Sequence, residues 1–122
     1  MFATLKQQPQ LSITCRAEMD IHSHVTWQAS ISGLNAEKLL RGHTTPYLYL
    51  LREGECERNY YVTFVRPDGT IAHQPFTIGL TEAGLYCENA CWYVINEETQ
   101  FEDLLYKIMH CNKGECTPFA CT

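Results

Sequence analysis

Arg52 closes the apolar run Tyr47-Leu-Tyr-Leu-Leu-Arg52 and opens the polar segment Glu53-Gly-Glu-Cys-Glu-Arg-Asn59. A guanidinium does not shed its proton, so burying one at the end of such a run calls for a paired anion. The segment that follows holds Gly54 and several consecutive amide donors, among them those of Glu55 and Cys56. Such a turn can wrap its N–H groups around an oxyanion as a backbone nest, and Arg58 can add a second cation. A guanidinium at the base with amides at the rim suits the planar, multi-acceptor geometry of a phosphate. The competing reading of Arg52 is a snorkelling or salt-bridged side chain, because Glu53, Glu55 and Glu57 are close in sequence.

Cys56 raises a different chemistry, a thiolate stabilised by a cation and amides. A phosphatase-like arrangement needs the cysteine first and the arginine at the end of the cradling loop. Here the arginine precedes the cysteine with a strand before it, so no catalytic residue is expected. The chain holds 7 cysteines, an odd count without the charged and then apolar blocks of a secretory signal. That pattern reads as free thiols in a reducing cytosol. Cys87, Cys91, His110, Cys111 and Cys116 leave open a zinc-stabilised or purely structural interaction domain, but no CxxC pair supports a metal centre.

These residues must be positioned by one domain, since 122 residues are too few for two ordinary cores. A hydrophobic fraction of 45% with 19% charged residues is that of a globular chain. No apolar run approaches the roughly 20 residues of a membrane span. The net charge of −5 opposes a broad surface for nucleic acid or anionic membrane, while allowing one local anion pocket.

Residues 1–24 are polar and irregular and are read as an N-terminal extension to a domain over 25–122. Ser32-Gly-Leu-Asn-Ala-Glu-Lys-Leu-Leu predicts a helix capped by Ser32 or Asn35, with Leu34, Leu39 and Leu40 near one face. Tyr47–Arg52, Tyr60–Val65 and Thr70–Ile78 predict three strands, the last two joined by the turn at Pro67-Asp-Gly69. Pro75 cannot donate to a ladder, which implies a bulge or an edge. Leu85-Tyr86 and Trp92–Ile95 predict a further short pair. Gln100–Cys111 predicts a second helix, its stripe formed by Phe101, Leu104, Leu105, Ile108 and Met109. The order gives an α+β fold, a central antiparallel β-sheet flanked by two α-helices, with an enlarged loop before the second helix. By strand alternation Arg52 shares a face with Leu48 and Leu50.

From Trp27 to about Phe119 the chain resembles the SH2 family. Tyr49-Leu-Leu-Arg-Glu-Gly-Glu55 is similar to that family's phenylalanine-leucine-valine-arginine-glutamate-serine-glutamate signature. Trp27, the helix segment Ile31–Leu40, Tyr60-Tyr-Val-Thr-Phe64, Asp68-Gly69 with His73, Gly84-Leu85-Tyr86 and Gln100-Phe101-Glu-Asp-Leu104 resemble its other landmarks in the same order. Phe76-Thr77-Ile78 can equally match the segment that follows the family's histidine directly.

The resemblance implies a non-catalytic module, without cofactor or metal, that binds tyrosine-phosphorylated peptides or proteins as a monomer. Arg52 would make a bidentate phosphate contact, Gly54, Glu55 and Cys56 would lie on the phosphate loop, and His73 would flank the pocket. Gly33 stands where the family usually has a second phosphate-binding arginine, and Gly54 where it has a serine. Arg58 is the expected replacement cation. The longer stretch 87–99, with Trp92 and Tyr93, would clamp the peptide and loosen its sequence preference, or dock on the domain's own core. The chain is similar in this respect to SH2 domains of secreted bacterial effectors, which implies action on phosphoproteins in a host-cell cytosol. A shorter phosphoserine or phosphothreonine could not reach Arg52 at the pocket floor.

Overall fold

A computed structural model describes residues 18–56, 58–81, 84–88, 92–95 and 100–120, with side chains for those up to Gly79 and from Gln100 onward. Residues 18–22 are helical. They are followed by α1 (Gly33–Leu40), β1 (Leu48–Glu53), β2 (Asn59–Val65), β3 (Ile71–Thr81), β4 (Gly84–Glu88), β5 (Trp92–Ile95), α2 (Phe101–Met109) and β6 (Thr117–Pro118). The six strands form one sheet in the order β5-β4-β3-β2-β1-β6. β1 to β5 run antiparallel to their neighbours, as expected, while β6 joins β1 in parallel, so the sheet is mixed. No described helix is long and apolar enough to cross a membrane.

Strand alternation sorts the core into two layers. Tyr49, Leu51, Tyr60, Val62, Phe64, Phe76 and Ile78 pack with Phe101, Leu104, Leu105, Ile108 and Met109 of α2. The predicted stripe of the second helix is therefore its buried face. Leu48, Leu50 and Val65 on the other side pack with Ala36 and Leu40 of α1. Arg52 follows Leu50 on this α1 side, as its spacing requires.

The caps and turns explain the element boundaries. Ser32 accepts a hydrogen bond from the Asn35 amide at 3.1 Å and so caps α1, resolving the choice between the two residues. At the other end of the domain, α2 stops at His110 in the left-handed region, with the Cys111 amide bonded back to the Tyr106 carbonyl. Gly69, at φ +89°, closes the turn after β2 and donates to the Arg66 carbonyl. Pro75 faces Tyr61 in the β2–β3 register. The Ile78 amide points to β2, where it meets the Arg58 carbonyl, so alternation turns the Pro75 nitrogen to the opposite side. There the β4 pairing ends at Thr77–Glu88, which makes Pro75 a local edge rather than a bulge.

Two expectations need correction. Leu34 is 60% exposed, and the buried positions of α1 are Ala36 and Leu40, with Leu39 partly buried. A helix turns about 100° per residue, so Leu34 and Leu39 point roughly 140° apart and cannot share a face. The boundary between an extension at 1–24 and a domain from 25 also falls inside packed structure. Ile21 is fully buried in the α2-side core, because the helical residues 18–22 cover Tyr60 there.

Candidate functional site

The site is built on β1, which is flanked on both edges. β2 flanks one edge, and residues 26–28 and β6 flank the other. The Gln28 amide donates to the Leu51 carbonyl at 2.8 Å, and the Leu51 amide to the Thr26 carbonyl at 3.3 Å. Just beyond Leu51, Arg52 is 8% exposed. Its ladder partner is Tyr61, whose ring lies 4.2 Å from the guanidinium carbon. An aromatic face attracts a cation and lends it an apolar floor without neutralising it.

The edges of the guanidinium are held by two side chains that project from the same face of β2 and β3. Nε donates to Thr63 Oγ1 at 3.1 Å, and Nη2 donates to His73 Nδ1 at 3.1 Å. Thr63 and His73 are cross-strand partners, and Thr63 Oγ1 lies 3.0 Å from the same Nδ1. An arginine can only donate, so Nδ1 accepts and the neutral ring carries its proton on Nε2. That nitrogen meets Glu37 Oε1 of α1 at 2.7 Å. One chain of contacts thus links β1, β2, β3 and α1, and Glu37 orients His73 to hold Arg52.

None of these partners is a carboxylate on Arg52. Among the described residues the guanidinium forms no ion pair, and the carboxylate of Glu37 meets His73 instead. Burial lowers the pKa of Arg52 from its ordinary value, with Tyr61 acting in the opposite sense. The charge nevertheless persists, because an arginine at neutral pH stays protonated. Glu53 and Glu55 do not form the salt-bridged alternative with Arg52, and Glu57 lies outside the described residues. The result is a buried cation with neutral hydrogen-bond partners, stabilised further by any anion that reaches it.

Gly33 brings α1 onto this cation. A Cβ added there would sit 3.3 Å from Arg52 Nη2 and 3.5 Å from His73 Cε1. Gly54 is needed for a different reason. Its amide donates to the Asn59 carbonyl at 2.7 Å, and a Cβ would overlap that carbonyl and the Asn59 side-chain oxygen. The Glu55 amide donates to Asn59 Oδ1 at 3.3 Å. Gly54 and Glu55 therefore spend their N–H groups on closing the loop, and the expected nest loses two of its donors.

The remaining sequence candidates are spread more widely. Glu55 reaches the Arg52 side, where it accepts from the Tyr61 hydroxyl at 3.4 Å. Arg58, at φ +62°, lines a cavity of about 380 Å³ with Tyr60, His22, Glu18 and Glu53. Tyr60 faces the α2 layer, so this cavity opens across the sheet from Arg52. Gly54, Glu55 and Cys56 line its rim, and Cys56 is exposed. The structure thus joins Arg52 with His73 directly and with Glu55 only through Tyr61, while Arg58 lies elsewhere. β5 carries Trp92 and Tyr93 opposite Glu88 and Cys87 of β4, and their side chains lie outside the described ones. Cys91 and the Cys87 side chain lie outside them too. Among the described residues no group of three or more His, Cys, Asp or Glu is placed to hold a metal.

Thr63, Tyr61 and Glu37 were not singled out in the sequence. Thr63 had a signal: it is the polar interruption in Tyr60-Tyr-Val-Thr-Phe-Val65, on the alternation that also places Tyr61. Glu37 had none, because its role depends on how α1 is rotated over the sheet. In comparison with known proteins, the chain matches no family model and no curated protein.

Proposed function

We infer that the chain is an SH2-like module that binds phosphotyrosine without catalysis, with Arg52 as the anchor of the phosphate. The observation that carries this reading is a buried arginine at the end of β1 that lacks a carboxylate partner among the described residues. A phosphotyrosine brings a charge of roughly −1.5 to −2 and three acceptor oxygens, which complement such a cation. The order helix, antiparallel strands, helix, with the sheet between the helices, is compatible with the SH2 arrangement.

The residues take distinct roles in this reading. Arg52 meets the phosphate, His73 and Thr63 keep the guanidinium in plane, and Glu37 fixes the ring of His73. Tyr61 provides the floor beneath the cation. Gly33 supplies no second arginine and Arg58 lies across the sheet, so binding rests on fewer cations than the family pattern provides. Each charge-assisted hydrogen bond contributes about 1.5–3 kcal/mol, so affinity concentrates in Arg52.

The test compares a phosphotyrosine peptide mixture with its unphosphorylated twin on wild type and Arg52→Ala. Phosphate-dependent binding by wild type and its loss in the folded variant are expected. Equal binding of both peptide sets, or binding retained by Arg52→Ala, would remove the reading.

A further inference from the structure

We propose that Cys111 and Cys116 form a reversible disulfide, a modification site that fastens β6 to the end of α2. The two residues bracket a tight turn in which the Glu115 amide donates to the Asn112 carbonyl at 3.0 Å and Gly114 takes φ +88°. Such a turn brings the residues on its two sides back toward each other, and a disulfide needs their Cα atoms about 4.4–6.8 Å apart. Both side chains are partly buried against the α2-side core. Flanking contacts fix both ends of the segment: the Cys111 amide bonds to the Tyr106 carbonyl, and the Thr117 amide to the Tyr47 carbonyl. The pair is thus held in register before any bond forms. Cys56, the other described free cysteine, is exposed and lines the cavity across the sheet from Arg52.

The step is a thiol–disulfide exchange with a small disulfide such as oxidised glutathione. The thiolate of one cysteine attacks a glutathione sulfur, giving a mixed disulfide and releasing one glutathione thiolate. The second cysteine then attacks the protein-bound sulfur and releases the other. Two thiols of the protein are oxidised, one glutathione disulfide is reduced to two thiols, and the two protein protons pass to the released glutathione. Burial raises both thiols, Cys111 to about 11. The thiolate that starts the exchange is therefore scarce near neutrality, which makes closure slow there and faster in alkali. This separates the pair from a rapidly reacting nucleophile and suits a staple set by the redox poise of the surroundings.

The experiment equilibrates the full chain in glutathione buffers of graded ratio, blocks the remaining thiols and digests it with trypsin. Cleavage after Lys107 and Lys113 leaves peptides 108–113 and 114–122 joined only when a disulfide crosses the turn. Fragmentation then distinguishes Cys116 from Cys121. The joined pair through Cys111 and Cys116 is expected at ratios where Cys56 is still alkylated as a thiol. Its formation rate should rise roughly tenfold per pH unit between pH 7 and 9. Cys116→Ser and Cys111→Ser should each abolish it without lowering the melting temperature of the reduced protein. Absence of the joined peptides at ratios that already modify Cys56, or a bond to Cys121 instead, would overturn the proposal.

Discussion

A Cβ at Gly33 would lie 3.3 Å from Arg52 Nη2, so the first residue of α1 and the last buried residue of β1 meet with only a hydrogen's room between them. The glycine therefore packs directly on the guanidinium and the His73 ring. Gly33→Val should press the guanidinium away from His73 and weaken phosphopeptide binding at least about tenfold, the equivalent of one displaced charge-assisted bond. Titration calorimetry checks this, and Gly33→Ala should fall between the two.

Arg52→Met should separate stability from binding. Replacing a buried ion with a well-packed apolar group of similar length is often neutral or stabilising, because the desolvation of the charge is removed. The melting temperature is expected to hold or rise while phosphate-dependent binding disappears. A fall comparable to that of a core truncation would show that the guanidinium is held for the fold and not for a ligand.

Gly54→Ala should destabilise the domain by about 1–3 kcal/mol, the usual cost of forcing extra atoms into a packed site. The added methyl meets both the carbonyl and the side-chain oxygen of Asn59. Asn59→Ala removes only the second obstruction, so the double variant should recover part of the loss. Urea denaturation of the four proteins reads this directly.

The α1 cap offers a calibration of the helix that carries Glu37. Ser32→Ala should cost about 0.5–2 kcal/mol, and Ser32→Asp should cost little. Thermal melts separate the two, and phosphopeptide affinity should follow the melt only where α1 frays.

Acid should loosen the fold through His24. Its Nδ1 accepts from the Thr26 amide at 3.2 Å, and burial lowers its pKa from the ordinary 6.5, with Glu102 opposing. With the folded-state value depressed, the unfolded chain takes up the proton first. The contribution of this residue is therefore unfavourable below about 6.5 and absent above it. The melting temperature should drop between pH 7 and pH 5, and His24→Asn, which keeps an acceptor for Thr26, should flatten that drop.

How far the sequence predicted all this depended on the range of the interactions. Arg52 was placed on the right face because alternation along Leu48-Tyr-Leu-Leu-Arg52 is local and the strand is regular. The stripe of α2 was legible for the same reason. Pro75 announced a bulge or an edge because a missing N–H is a covalent fact, and only the pairing of β4 decides between them. The bonds of Gly54 and Glu55 to Asn59 were not legible, since a glycine-containing loop can turn its amides inward or outward. Arg58 seemed close to Arg52 by count, but β2 begins just after it and carries Tyr60 to the other layer. The partnership of Glu37 with His73 needed the packing of a helix on a sheet, which no short window contains.

The parallel pairing of β6 with β1 has a consequence for synthesis. Leu48 and Tyr49 emerge from the ribosome long before Thr117 and Pro118, their partners in the register. Through that interval the outer edge of the Arg52 strand can be covered by Thr26–Gln28, already made, but Tyr47 and Tyr49 keep carbonyls that only Thr117 and Phe119 later occupy. The β6 pairing is therefore the last part of this sheet edge that can close. A chain released before Thr117 should leave that half of β1 open and associate with itself there.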